Sequence, residues 1–292
     1  MAGAQLRGIG VWMTQSRGVS PGVQSGLIAQ GAELLPVPLI VIKPRKGPRG
    51  IATGFGAWFA GLGEAAVPGA GLVVTSANAA ALLGPAAAVS SLRDAFLALP
   101  AFCIGSGSAS AMRDAGFAHV EGIEPPSAEV LCNHIVTASV SSLWFPRAAK
   151  VAFYIAKELG GRGIQVTESI LYDTVPSASS AVSEMVERCV GGLDTIVVVA
   201  SGEGITSLRR ALEDRVGSSD LPSSCKLVCV GRSSVMNARE LGLPVAAVAS
   251  SPGDNDLVAA VLSVVGRDGM QENITVKSGS GGRGLARPRG TC

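Results

Sequence analysis

The sequence carries one pattern twice: residues 102–120 read FCIGSGSASAMRDAGFAHV, and residues 228–245 read VCVGRSSVMNARELGLPV. Each copy has an apolar run, then a glycine at Gly105 or Gly231, then a serine three residues later at Ser108 or Ser234. An apolar run that ends at a glycine and passes into a helical pattern is typical of the strand-to-helix turns of parallel sheets. The repeat therefore predicts two similar α/β units in one chain.

The similarity continues on both sides of this pattern. Upstream, VVTSANAAALL places Ser76, and VVASGEGITSL places Ser201, at the end of a predicted buried strand. Downstream, Ser127 and Asp254 begin matching helical segments, and both residue types favour the start of a helix. A shorter helix–glycine–strand segment precedes each long block, so the chain alternates two short units with two long ones.

Short apolar runs alternate with helical patterns along the chain. The runs are rich in β-branched residues and are continuous, as expected for strands covered on both faces. This order predicts an α/β fold with parallel sheets flanked by helices. Within the second run, Pro36 and Pro38 indicate an edge strand or a strand that leaves one domain for another. The predicted strands lie at residues 8–14, 33–42, 71–75, 101–104, 151–155, 195–200 and 226–230.

Charge and composition exclude some classes of partner. Charged residues make up 16% of the chain, the formal net charge is +2, and no block of five like charges occurs. Nucleic-acid-binding proteins need a clustered basic face, so we predict no nucleic-acid partner. The uncharged stretch 65–92 is interrupted by prolines and glycines, so we also predict no membrane span.

The six cysteines form neither a metal-binding nor a disulfide pattern. Cys103 and Cys229 lie inside apolar runs, where buried thiols are expected. The two histidines, His119 and His134, have no ligand spacing, so no metal site is predicted. Free thiols indicate a reducing compartment. No signal peptide is visible at the N-terminus, so the sequence predicts a cytoplasmic protein, or an organelle protein if a targeting peptide has been removed.

Four serines stand where a predicted strand passes into a predicted helix. In open α/β sheets, ligands bind at the carboxyl ends of the strands, and a helix N-terminus offers free N–H groups to an anion. These serines therefore predict a binding site for carboxylates or phosphates, although each could equally act only as a helix cap. The four are Ser76, Ser108, Ser201 and Ser234.

Three further residues bear on the chemistry. The motif GSGSAS is similar to the turn that binds dinucleotides, but Ser110 stands where its third glycine would be, so nucleotide binding is not favoured. Tyr154 lies in an apolar stretch and is expected in the core. Tyr172 lies in ESILYDTVP, and its phenol could face a cleft as an acid or a hydrogen-bond donor.

A set of spaced fragments in this chain resembles the uroporphyrinogen-III synthase family. Each fragment alone is a weak signal, but the fragments occur in the family's order over nearly the whole chain and accompany the internal repeat. The fragments are PLIVIKP (38–44), VVTSANAAAL (73–82), CIGSGSASAMRDAGF (103–117), LWFPRAAK (143–150), ILYDTVP (170–176), VVVASGEGITSL (197–208) and CVGRSSVMNARELGL (229–243).

The resemblance implies two similar α/β domains joined by a two-stranded ladder, one of them discontinuous because it is built from both ends of the chain. The two prolines of the second run and the segment 170–176 would be the two crossings between the domains. We therefore predict that residues 1–38 pack with 177–265, while 39–176 form the other domain. The Gly- and Arg-rich segment 266–292 has little to bury and is predicted to be disordered.

The resemblance also implies the reaction. Enzymes of this family cyclise hydroxymethylbilane, a linear tetrapyrrole rich in carboxylates, and invert its last ring (ring D) to give uroporphyrinogen III. They use no cofactor, and we predict a monomer that acts on this small-molecule substrate. The family's tyrosine falls on Tyr172, whose phenol could assist the leaving hydroxyl. The family's hydroxyl-bearing turn positions fall on the four serines, and Arg232, directly after Gly231, is our candidate cationic partner for a substrate carboxylate.

Two other classes stay open at this point. One is a non-catalytic protein that binds a tetrapyrrole or another small anion on the same two-domain scaffold. The other is a periplasmic-type solute receptor with two α/β lobes and a hinge, for which a signal peptide would be expected. Formation of a cyclised product separates the enzyme from the binding protein.

Overall fold

The structure is a computed structural model that describes residues 5–16, 18–249 and 253–265. Within these residues the strands are β1 (Gly10–Met13), β2 (Glu33–Pro36), β3 (Ile40–Pro44), β4 (Ala70–Val74), β5 (Ala101–Ile104), β6 (Val120–Ile123), β7 (Ser142–Ala148), β8 (Gln165–Pro176), β9 (Thr195–Val199), β10 (Cys225–Val230) and β11 (Val245–Ala249). The α-helices are α1 (Pro21–Ala29), α2 (Pro48–Ala60), α3 (Ala77–Ala88), α4 (Arg93–Ala98), α5 (Gly105–Asp114), α6 (Ala128–Thr137), α7 (Ile155–Gly160), α8 (Ser180–Val190), α9 (Gly202–Val216), α10 (Arg232–Glu240) and α11 (Asp254–Val265). The tail at 266–292, predicted to be disordered, lies outside the described residues.

The strands form two sheets. The five-stranded sheet has the order β11-β10-β9-β1-β2, with every pairing parallel. The six-stranded sheet has the order β3-β8-β7-β4-β5-β6, in which only β3 is antiparallel to its neighbour. The first sheet takes strands from both ends of the chain, and the second takes them from the middle. The predicted α/β fold with parallel sheets flanked by helices is therefore confirmed, whereas the residue limits of the two domains stay a prediction.

β8 is the strand that carries the chain from one sheet towards the other. Its first part pairs in parallel with β7, up to the pair of Ala148 with Tyr172. Its last part forms an antiparallel ladder with β3, which runs from the pair of Pro44 with Tyr172 to the pair of Ile40 with Pro176. Just beyond the ladder, Ser177 N donates to Leu39 O at 2.9 Å, so the two crossings are hydrogen-bonded to each other.

The apolar region 33–42 is two strands, β2 and β3, which are edge strands of different sheets, as its two prolines indicated. One strand prediction was wrong. The run 151–155 is no strand, and the strand at this point is β7, whose first five residues are all buried. Apolar residues in the run 151–155 alternate between half-exposed and exposed positions up to Ile155. Tyr154, expected in the core, is accordingly 73% exposed.

Aromatic rings fill the core on one face of the six-stranded sheet. Phe55 of α2 stacks on Phe96 of α4 with ring centroids 3.8 Å apart. Trp144 of β7 lies 5.6 Å from Phe55 and 6.4 Å from Trp58, again between centroids. Tyr172 belongs to the same buried cluster, so this aromatic packing sets the position of the tyrosine that the sequence singled out.

In the five-stranded part, the first helix packs on the last one. Ser20 caps α1 by accepting a hydrogen bond from Val23 N, and Pro21 at the first helical position favours a helix start there. A Cβ added to Gly26 would lie 2.9 Å from Cγ2 of Val258 in α11. The two helices approach this closely because position 26 has no side chain.

Candidate functional site

Two of the four predicted serines cap helices at the carboxyl ends of strands. Ser76 precedes α3, and its Oγ accepts a hydrogen bond from Asn78 N at 3.0 Å. Ser201 precedes α9, and its Oγ accepts from Gly204 N at 3.1 Å. Both side chains are partly exposed. The capping interpretation is confirmed for this pair, and both side chains remain accessible to a ligand.

The repeated glycines occupy equivalent turns. Gly105 follows β5 with φ of +72°, and Gly231 follows β10 with φ of +79°. A side chain disfavours this left-handed region, whereas glycine adopts it readily. The repeated sequence pattern therefore corresponds to a repeated backbone turn.

The other two serines are not where the sequence suggested. Ser108 is 7% exposed and Ser234 is 0% exposed. The Ser234 Oγ donates to Val230 O at 2.9 Å and to Gly231 O at 3.0 Å, so this hydroxyl anchors the strand-to-helix turn. The third residue after each glycine lies on the side of the helix that faces the sheet. The expectation of open hydroxyls at these two positions is corrected, and their part in binding stays untested.

Arg232 begins α10 directly after Gly231 and is exposed. Among the described residues, no carboxylate forms a salt bridge with it at 4.0 Å or less. The equivalent turn after β5 is different, because Ser106 N donates to Glu124 Oε1 at 2.9 Å. One first-turn amide of α5 thus already holds a carboxylate of the protein itself, which is the chemistry that a helix N-terminus favours.

Tyr172 and Ser76 meet at the carboxyl edge of the six-stranded sheet. The Tyr172 Oη donates to Ser76 Oγ at 3.1 Å. The tyrosine is only 3% exposed, so the expected phenol facing an open cleft is corrected to a buried phenol that reaches Ser76. Burial raises the pKa of Tyr172, and the hydrogen bond with Ser76 opposes that rise. The phenol therefore stays protonated at neutral pH.

This contact orders the protons of Ser76. A serine hydroxyl has two acceptor lone pairs and one donor proton. The Ser76 Oγ accepts from Asn78 N and from Tyr172 Oη, so both lone pairs are used. Its own proton has no acceptor among the hydrogen bonds of the described residues. The pair can therefore present one polarised O–H donor at the sheet edge.

Sequence reasoning missed a basic segment beside this pair. Residues 43–49 read KPRKGPR, and β3 ends within them, with Pro44 paired to Tyr172. Arg45 holds Asp173 through two hydrogen bonds of 2.8 Å. The segment contains no five like charges in a row, because prolines and a glycine separate its cations.

Two further observations concern metals and membranes. No group of three or more His, Cys, Asp or Glu residues that could hold a metal ion occurs in the part of the chain that the structure describes. Across residues 5–16, 18–249 and 253–265, no helix has the length and apolar character needed to cross a bilayer.

Comparisons with known proteins place the chain in a family. Two solved structures have the same fold: a uroporphyrinogen III synthase mutant from the bacterium Thermus thermophilus, at 15% identity and a TM-score of 0.57, and uroporphyrinogen-III synthetase from Helicobacter pylori, at 16% identity and a TM-score of 0.55. Each alignment covers 89% of this chain and 100% of the other. No curated protein matches the sequence. The family model described as uroporphyrinogen-III synthase HemD matches residues 23–259. Since that match spans well over half of the sequence, the chain belongs to the uroporphyrinogen-III synthase family.

Proposed function

We propose that this chain is a uroporphyrinogen-III synthase, an enzyme of haem biosynthesis that cyclises hydroxymethylbilane with inversion of ring D. The observation that carries the proposal is the family match over residues 23–259. In the reaction, the C–O bond of the terminal hydroxymethyl group breaks and water leaves, giving an azafulvene. The α-carbon of ring D that already carries the bridge to ring C then bonds to the former hydroxymethyl carbon, giving a spiro-pyrrolenine. The bond between ring D and that bridge breaks, and the bridge carbon bonds to the free α-carbon of ring D. Loss of a proton from that α-carbon completes the inversion.

We propose that Ser76 and Tyr172 act on the first step. The departing hydroxyl must gain a proton to leave as water. Ser76 would donate a hydrogen bond to that oxygen, and Tyr172 would strengthen the donor because its phenol already donates to Ser76 Oγ. In this arrangement Tyr172 is a positioning residue, since the serine stands between the phenol and the reacting oxygen.

The remaining task of the protein is to hold one folded shape of the substrate. Closure without inversion is the easier reaction, so the advantage of the enzyme lies in orientation. Ser201 and Arg232 are our proposed carboxylate partners in the five-stranded part, because both are accessible at the carboxyl ends of β9 and β10. Ser108 and Ser234, buried in their turns, would support the two glycine turns that bring the first amides of α5 and α10 to the same edges.

The test is the isomer of the product. Purified protein is supplied with hydroxymethylbilane made in situ by the upstream synthase, and the oxidised porphyrin isomers are separated. We expect an excess of isomer III over isomer I, with no added metal or nucleotide and with no loss of activity in chelator. Isomer I alone, formed at the spontaneous rate, would rule out the enzyme and favour a non-catalytic binding protein.

Replacing Tyr172 by phenylalanine is expected to lower kcat by about threefold to tenfold. The change removes one neutral hydrogen bond, worth about 0.5–1.5 kcal/mol, and a tenfold rate loss corresponds to about 1.4 kcal/mol. The ring remains, so the aromatic core should be intact. The measurement is kcat for isomer III, with thermal unfolding as the check on folding.

The matched variant is Ser76→Ala, which should lower kcat more than Tyr172→Phe because it removes the donor itself. It should also cost about 1 kcal/mol of stability through the lost cap of α3. If Tyr172→Phe instead loses about a hundredfold or more, the phenol acts directly as a general acid. A lower kcat for Tyr172→Phe than for Ser76→Ala would also contradict the proposal that Ser76 contacts the reacting oxygen and that Tyr172 acts through it.

We also propose that the protein works as a monomer in a reducing compartment, the cytoplasm or the interior of an organelle. The support for a reducing compartment is chemical: Cys103, Cys132 and Cys229 are buried free thiols. Burial raises the pKa of Cys103 to about 12 and those of the other two to about 11, which keeps them protonated and unreactive. Cell fractionation and light scattering of the purified protein test the two statements.

A further inference from the structure

The segment 43–49, KPRKGPR, is the most concentrated positive charge near the candidate site. It holds four cations and no acidic residue, whereas the formal net charge of the whole chain is only +2. We refer to these residues, Lys43 to Arg49, as the basic segment. Its charge is therefore a local feature and not a reflection of a basic protein.

The sheet register places the basic segment beside Tyr172 and Ser76. Pro44 pairs with Tyr172 at the end of the β3–β8 ladder, and Arg45 N donates to Leu171 O at 2.7 Å. Tyr172 in turn contacts Ser76. α2 begins within the segment, at Pro48, and buries Phe55 in the core cluster that also contains Tyr172. The register thus brings the backbone of Pro44 and Arg45 next to Leu171 and Tyr172, the residue whose hydroxyl contacts Ser76.

One of the four cations is engaged, and three are free. The guanidinium of Arg45 binds both carboxylate oxygens of Asp173 and lowers the pKa of that carboxyl. Lys43, Lys46 and Arg49 are exposed, and no carboxylate among the described residues lies within 4.0 Å of them in a salt bridge. The Arg45–Asp173 pair links the segment to the β3–β8 ladder. It does not neutralise the charges of the other three cations.

The glycine that follows the segment, Gly50, leaves room for one of these side chains. A Cβ added to Gly50 would lie 3.3 Å from Cβ of Lys46 and 3.8 Å from its Cδ. The stem of Lys46 therefore lies across the glycine at the start of α2. A side chain at position 50 would crowd this stem, and Lys46 itself is exposed.

We propose that Lys43, Lys46 and Arg49 bind carboxylates of the substrate and draw it to the Ser76–Tyr172 pair. This inference rests on the proposed function, whose substrate is a flexible polycarboxylate. The electrostatic attraction between exposed charges is screened by salt, so its range becomes shorter as the ionic strength rises. A cluster of charges of one sign raises the rate of encounter with an oppositely charged ligand. The proposed substrate carries its carboxylates on separate side chains along a linear molecule. Three separate cations on flexible side chains match this arrangement better than one rigid bidentate site would.

The experiment compares wild type with the triple variant Lys43→Gln, Lys46→Gln, Arg49→Gln. We expect KM for hydroxymethylbilane to rise about tenfold at low ionic strength, with kcat within twofold and the ratio of isomer III to isomer I unchanged. The increase of KM with salt should be much weaker in the variant than in wild type. Arg45 is left in place because it holds the ladder.

The matched control removes the same charge elsewhere: Arg210→Gln, Lys226→Gln and Arg239→Gln. These three side chains are exposed, and Lys226 and Arg239 lie towards the amino ends of the strands of the other sheet, away from the proposed site. The control should keep the KM of wild type and its dependence on salt. An equal rise of KM in both triple variants would mean that net charge alone steers the substrate, which overturns the proposal.

The remaining outcomes separate this proposal from the proposed function. If wild type makes isomer III and the first triple variant keeps the KM of wild type, the basic segment is not a substrate site and the enzyme assignment stands. If wild type makes only isomer I, the enzyme assignment fails, and binding of uroporphyrin I is then measured by fluorescence. Binding about tenfold weaker in the first triple variant would still support a polycarboxylate site, whereas equal binding would overturn it. Loss of RNA or heparin binding with unchanged KM would also overturn it.

Discussion

Replacing Trp144 by alanine is expected to lower the free energy of unfolding by about 3–5 kcal/mol. The side chain is fully buried at 0% exposure and contacts the rings of Phe55, Trp58 and Phe96. Its indole Nε1 also donates to Ser169 Oγ at 2.8 Å. Alanine would leave a cavity in the layer that positions Tyr172, and it would remove the partner of that serine. Denaturant titration followed by circular dichroism gives the change.

The control for this prediction is another aromatic residue of the same part of the chain. Tyr154 is 73% exposed, so Tyr154→Ala should change the free energy of unfolding by less than about 0.5 kcal/mol. The Trp144 variant should also lose turnover, because its core cluster includes Tyr172. A loss of less than about 1.5 kcal/mol would show that the cluster collapses around the gap or that the ring is not part of a close-packed core.

Placing leucine at position 26 is expected to destabilise the protein by about 1–3 kcal/mol through overpacking. Even a Cβ at Gly26 would approach Val258 Cγ2 to 2.9 Å, and valine has little rotamer freedom in a helix with which to move away. The leucine side chain would push α1 away from α11. These helices come from opposite ends of the chain, so the measurement bears on the proposed discontinuous domain of residues 1–38 and 177–265.

The comparison for Gly26→Leu is Gly54→Leu in α2. Nothing lies within 4 Å of a Cβ added to Gly54, and leucine is a better helix former than glycine by up to about 1 kcal/mol. The second variant should therefore be neutral or stabilised when unfolding is followed in denaturant. Equal stability of the two variants would mean that the ends of the chain do not pack as the structure has them.

Local features of the sequence predicted local structure well. The glycine turns at Gly105 and Gly231 were found because a positive φ restricts the residue type at one position, whatever the rest of the fold does. The caps at Ser76 and Ser201 follow the same logic, since each hydroxyl bonds an amide two or three residues away. The alternation of apolar runs with helical patterns then predicted the parallel α/β architecture.

Features that depend on distant partners were missed or misplaced. Ser234 was expected to be open, but its direction depends on which helix side faces the sheet, and that is a tertiary property. The run 151–155 is as apolar as β7, and only the neighbouring strands decide which of the two joins the sheet. The basic segment was overlooked because its importance comes from the pairing of Pro44 with Tyr172, which lies far away in sequence.

The strand order of the five-stranded sheet has a consequence for synthesis on the ribosome. β1 lies between β2 and β9, and β2 ends at Pro36 whereas β9 begins only at Thr195. Roughly 160 residues must be translated in between, which takes about 8–30 s at about 5–20 residues per second. All strands of the six-stranded sheet emerge during that interval, while one edge of β1 stays unpaired. Such an edge is a template for aggregation, and chains released before residue 195 keep it permanently exposed.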